Sequence, residues 1–177
     1  ALLKTAGFSR FMWDDDLRFG NAGQELQGCF CDTCIDEFNR RFNMKVTRDQ
    51  LKRDIEAKAR SSLLSNWAEY ICEKLSQFVY SVALEGIQPL LMVMYDGDER
   101  HGIDIGKIKS NIHHIRFRVG EEHFDDRRFG SIRGKIEEIM AMQYHLGLMK
   151  GIITYSETTS FPVGNLSPQN WILKAKY

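Results

Sequence analysis

Apolar positions along the chain follow two different periods. Leu64, Trp67, Ile71, Leu75, Phe78 and Val82 recur every three or four residues, which predicts a helix with one buried stripe and Gly86 as its stop. Cys34, Phe38 and Phe42 predict a helix over 34–42 in the same way, and Thr47 with Gln50 makes a capping box for a helix that follows. Ile132, Ile136, Ile139 and either Met140 or Gln143 predict a helix over 131–147 with those residues on one side. "GIDIGKIKSNI" reads as a short helix, "LLKTAG" as a helix end stopped by Gly7, and Ser167-Pro168 as the start of a last helix. Between them lie short apolar runs: "GFSRFMW" (7–13), "PLLMVMY" (89–95), "HHIRFRV" (113–119) and "KGIITYS" (150–156). These predict strands, the second continuous enough to be covered on both faces.

Strand and helix alternate four times. That order predicts an α/β fold of parallel strands joined by right-handed crossovers, with residues 1–177 as a single domain. Each strand turns polar at its C-terminal end: Asp14 to Asp16, Asp96 to Glu99, Arg118 to Glu122, and Tyr155 to Glu157. In open α/β sheets and in (β/α)8 barrels that edge carries the active site. Three consecutive aspartates repel one another and resist burial, so "WDDDLRFG" reads as the rim of a site or as a solvated acidic loop.

Composition narrows the choice. The 177 residues carry 24 basic and 24 acidic side chains, without a basic cluster, so nothing points to nucleic acid or an anionic membrane. No run reaches transmembrane length and no signal peptide is visible. The chain opens "ALLKTAG" without methionine, like the inside of a longer protein. No glycine-rich phosphate loop follows any strand, against a nucleotide-binding Rossmann domain. Three of the four cysteines fall within six residues, which suits a metal site or a reducing, cytoplasmic compartment better than a disulfide framework. Cys29, Cys31 and Cys34 have the tight thiolate spacing that zinc prefers and should converge on one point. Cys72, within the long helix, reads as a buried structural thiol.

"WDDDLRFG" followed by "GCFCDTCIDEFNRRF", and later "GIITYSETTSFP", resembles the zinc-containing β-galactosidase family and its relatives among the (β/α)8 retaining glycosidases. The resemblance implies a partial TIM barrel of four parallel strand–helix units, strands four to seven of the full fold. It places Asp14, Asp15 and Asp16 on the family's Asp, Asn and Glu, which makes Asp16 the acid/base and Glu157 the nucleophile. It implies that no cofactor is required for catalysis and that any zinc is structural, held by Cys29, Cys31 and Cys34 with a fourth cysteine that the family draws from an earlier strand.

Retaining glycoside hydrolysis needs one protonated and one ionised carboxyl group. Repulsion among the three aspartates is one route to the protonated group. Asp14, Asp15, Asp96, Arg118 and Tyr155 are the expected contacts to an oligo- or monosaccharide substrate. Arg118 either steadies Glu157 and a substrate hydroxyl or pairs with Glu121 or Glu122, and Asp96 either meets sugar or turns the chain at Gly97. His113 and His114 lie at the wrong strand end for catalysis, and Trp171 is expected to pack as a helix residue. The competing classes are a non-catalytic carbohydrate-binding or scaffold remnant and a smaller open-sheet α/β enzyme. A half-barrel leaves two strand edges unpaired, so a homo-oligomer, or association with the rest of the barrel, is expected.

Overall fold

The computed structural model describes residues 2–14, 17–20, 26–83, 86–94, 98–112, 114–120, 125–157 and 165–176. They form an α/β fold with four parallel strands in one sheet: β1 (Arg10–Trp13), β2 (Gln88–Met94), β3 (Arg116–Gly120) and β4 (Thr154–Ser156), in the spatial order β1-β2-β3-β4. The first and last strands in the chain, β1 and β4, are the outer ones, as expected of four successive strand–helix units. No helix among the described residues is long and apolar enough to cross a membrane.

The chain divides into two compact units, each taken here by itself. The first comprises Ala1–Asp15, Leu84–Asp96 and His113–Tyr177 and holds the sheet. Its helices are α1 (Leu2–Thr5), α6 (Asp126–Phe129), α7 (Ile132–Leu148) and α8 (Pro168–Lys176). The second comprises Asp16–Ala83 and Gly97–Ile112. It contains α2 (Asp32–Phe42), α3 (Arg48–Glu56), α4 (Ser62–Val82) and α5 (Ile105–Asn111), with a 3-10 turn at Glu99–His101.

In the sheet, side chains alternate as the pleat requires. Leu91, Val93, Phe117 and Val119 turn to one face and are buried. Arg10, Met12, Gln88, Leu90, Arg116 and Arg118 turn to the other and line an open cleft. Register sets them in rows: Arg10 pairs with Gln88, Met12 with Leu90 and Leu90 with Arg116, and Met92 with Arg118 and Arg118 with Tyr155.

The helical unit closes on an aromatic core. Trp67 and Phe38 are wholly buried, with ring centroids 5.1 Å apart, and Phe30 stacks on Trp67 at 5.3 Å. The α4 stripe is Leu63, Trp67, Tyr70, Ile71, Leu75 and Val79. Phe78 was expected in it and is 47% exposed, because the apolar face rotates slowly around so long a helix and Val79 takes the inward place. Thr47 caps α3 as expected, its hydroxyl accepting from the Gln50 amide at 3.2 Å.

Helix α7 forms as expected, and of the residues placed on one side of it Ile132, Ile136 and Met140 point outward, 81%, 52% and 66% exposed, while Ile139 is half-buried. Gly134, Glu138, Met142 and His145 are the buried residues. A Cβ at Gly134 would come within 2.1 Å of the Arg128 carbonyl oxygen, so the close approach of α6 dictates which side turns in. The wholly buried Glu138 carboxylate lies 3.2 Å from Arg128 Nη1. Trp171, expected to pack, is 47% exposed.

Candidate active site and metal centre

Glu157 follows β4 directly and is fixed through both main chain and side chain. Its N–H donates to the Val119 carbonyl at 2.9 Å, extending the β3–β4 ladder by one residue. Its own carbonyl accepts from the Lys174 ammonium and, at 3.3 Å, from the Ser156 hydroxyl. Lys174 arrives from α8 and is buried. Asp126 in turn holds the start of α8: its Oδ1 accepts from the Ser167 amide at 2.8 Å and the Asn170 side-chain amide at 2.9 Å. Those bonds, the Ser167 amide foremost, hold the Asp126 carboxyl below its ordinary pKa.

The Glu157 side chain forms an ion pair with Arg118, Nη2 to Oε1 at 2.6 Å. This ion pair is the expected steadying of Glu157 by Arg118; the alternative partners, Glu121 and Glu122, lie outside the described residues. Arg118 Nη1 also lies 3.8 Å from the Met12 sulfur. One row further down, Arg116 Nη1 donates to the Tyr155 hydroxyl. Arg116, which alternates with Ile115, Phe117 and Val119 as Arg118 does and so marks a basic strand face, was given no role from sequence, and Lys174 was missed. Lys174 carried no signal, as one of two lysines on an amphipathic helix.

Arg10, Arg116, Arg118, Tyr155 and Glu157 share a cleft of about 460 Å³ on the sheet face. Of the other expected site residues, Asp14 directly follows β1 and is exposed. Asp15, Asp16 and Asp96 lie outside the described residues, as do Glu121, Glu122 and His113.

Cys29, Cys31 and Cys34 do converge. Their sulfur atoms lie within 4.8 Å of one another, Cys29 and Cys31 at 3.3 Å. A tetrahedral zinc with Zn–S near 2.3 Å sets neighbouring sulfurs about 3.8 Å apart, so these three fit three corners of such a site. Local structure dictates the convergence. Cys31 is the N-cap of α2 and Cys34 lies in its first turn. The approach to Cys29 is set by Trp67, whose indole N–H donates to the Gln27 carbonyl at 2.9 Å. Gly28 has φ +149°, and a Cβ there would meet Trp67 Cζ2 at 2.7 Å.

The thiols differ in acidity. The Cys34 amide, with the Cys29 side chain, lowers the Cys31 pKa. Burial first, then hydrogen bonds with Cys29 and Cys31, pushes Cys34 up to about 12. Cys72 is buried as expected and likewise pushed up to about 12, by burial foremost. It takes no part in the cluster.

No family model matches the chain, and no curated protein or solved structure matches it either. Function therefore rests on the sequence motifs and on the geometry of these two sites.

Proposed function

We propose that the chain is part of a retaining glycoside hydrolase of (β/α)-barrel type, with Glu157 as nucleophile and Asp16 as acid/base. The observation that carries the reading is the Glu157–Arg118 ion pair at the C-terminal end of a parallel sheet, inside a cleft. Arg118 orients Oε1, which leaves Oε2 to attack the anomeric carbon. In the first step a bond forms from Glu157 to C1, the glycosidic C–O bond breaks, and Asp16 gives its proton to the leaving oxygen. In the second, Asp16 takes a proton from water as the water oxygen displaces Glu157. Main-chain anchoring of Glu157 by Val119 and Lys174 supports this role, because a nucleophile must be held in near-attack geometry. Tyr155, Asp14, Asp15 and Asp96 contact the sugar in this reading.

The test is hydrolysis of 4-nitrophenyl glycosides by the chain, alone and with Glu157→Ala. Loss of turnover in the variant, with recovery in azide and a glycosyl azide of inverted configuration, supports the assignment. Turnover that survives Glu157→Ala refutes it.

Cys29, Cys31 and Cys34 would hold a structural zinc, which would supply cross-linking of the loop to α2 and no chemistry of the reaction. One equivalent of zinc bound, lost in Cys31→Ser, is the expected titration result. Among the described residues β1 and β4 have no strand on their outer edges, which supports association with another copy or with the rest of a barrel, and light scattering at micromolar concentration reports it.

A further inference from the structure

The cleft carries more positive charge than its one ion pair uses. Among the described residues its lining holds three guanidinium groups, Arg10, Arg116 and Arg118, and one carboxylate, Glu157, while the aspartates of the proposed site belong to the strand ends above these rows. Arg118 is committed to Glu157. Arg116 gives one N–H to Tyr155, while its Nε–H is shielded from solvent with no partner among the described residues. Arg10 has no acidic partner among the described residues. Arg10 is exposed and Arg116 half-buried, and the rows below Glu157 hold no carboxylate among the described residues, so this part of the cleft favours an anion over a neutral ligand.

The rows give that anion a position. Arg118 stands level with Tyr155, one residue before Glu157, and Arg116 stands level with Leu90, about 6.6 Å further from the C-terminal edge by the rise of two strand residues. In a uronide the carboxylate is carried on C5, beside the ring oxygen and therefore near C1. In the pose proposed here C1 lies over Glu157 and that group is directed down the sheet toward Arg116 and Arg10. A guanidinium N–H donates strongly to a carboxylate, and Met12 and Leu90 offer an apolar floor to the ring.

We propose that this cleft recognises a carboxylated sugar, a glycoside of a uronic acid, with Arg116 as the main carboxylate contact and Arg10 as its support. The assignment deepens the glycosidase reading and rests on it for the placement of C1. Arg116 is a specificity determinant here and takes no part in bond making.

The experiment titrates the chain with methyl β-D-glucuronide and methyl β-D-galacturonide against the matching neutral glucoside and galactoside, by calorimetry. One uronide should bind more tightly than its neutral partner by roughly ten- to a hundredfold, the worth of a charge-assisted hydrogen bond. Arg116→Gln should remove that preference, and Arg10→Gln, on an exposed side chain, should weaken it. Equal affinity for uronide and neutral glycoside in the wild-type chain overturns the proposal whether or not any variant folds, as does a preference that survives both substitutions. The 4-nitrophenyl derivatives separate the two readings. Cleavage of neutral glycosides without uronide preference keeps the hydrolase and sinks the carboxylate site. Selective uronide binding without turnover of any glycoside keeps the carboxylate site and sinks the hydrolase.

Discussion

Gly28→Ala is the sharpest test of how the cysteine loop is built. The backbone there has φ +149°, which L side chains rarely adopt, and holding alanine in such a conformation costs about 1–3 kcal/mol. The added methyl would also stand 2.7 Å from Trp67 Cζ2, 2.9 Å from Nε1 and 3.0 Å from Ile71 Cγ2. Trp67 cannot swing away. It is wholly buried, its N–H is bonded to Gln27, and Phe30, Phe38 and Tyr70 ring it at centroid distances of 5.1 to 5.3 Å. Overpacking a site of that kind adds about 1–3 kcal/mol, so the total is about 2–6 kcal/mol.

Urea unfolding followed by tryptophan fluorescence measures it. With a slope of about 2 kcal/mol per molar, the midpoint should fall by roughly 1 M or more. Gly147→Ala is the internal control. Its Cβ would meet nothing within 4 Å, and alanine in place of a helical glycine should stabilise by about 0.5–1 kcal/mol. If Gly28→Ala unfolds at the wild-type midpoint while Gly147→Ala shifts upward, Trp67 does not lock the loop and the account of the cysteine geometry fails.

Further outcomes follow from single sites. Alkylation of the metal-free chain near neutral pH, read by mass spectrometry, should modify Cys31 first and Cys72 last, because the thiolate is the reacting species and the two acidities are shifted in opposite directions; equal rates would contradict it. The Asp126 carboxyl is more acidic folded than unfolded, so its contribution is present above its ordinary value of 3.8 and is lost as pH falls through the lower folded value. Asp126→Ala should therefore flatten the acid side of the stability profile and weaken amide-exchange protection in α8, and an unchanged profile would count against the cap. On α7, Ile136→Lys should change stability by less than about 0.5 kcal/mol while Met142→Ala costs about 2–5 kcal/mol, the reverse of what the isoleucine periodicity suggests.

That reversal marks the limit of pattern reading. Element order, parallel pairing and the two edge strands were all legible, because local periodicity and chain connectivity determine them. The convergence of Cys29, Cys31 and Cys34 was legible as well, since a two-residue and a three-residue step at a helix start leave little choice. Periodicity grouped Ile132, Ile136 and Ile139, with Met140 or Gln143, on one side of α7, and of these only Ile139 is half-buried, the rest exposed. It carries no information on which face turns inward, and Gly134 against the Arg128 carbonyl decides that through a contact the isoleucine pattern does not contain.

The sheet-face site shows the same division at longer range. Parallel strands place all their C-terminal ends on one edge, so a polar residue at each strand end is enough to locate a site. Naming the partners is a different problem. Arg118 and Glu157 are 39 residues apart, and Lys174 reaches back 17 residues to the Glu157 carbonyl. Each strand contributes one row position, and register alone determines which positions meet: Arg118 stands beside Tyr155 and therefore next to Glu157, while Arg116 stands one row below with its Nε–H unmet. Among the described residues β3 alone brings two guanidinium groups to the cleft, Arg116 and Arg118, and pairing with β2 and β1 brings Arg10 to the same face, so a ligand would be recognised by the charge of the rows together.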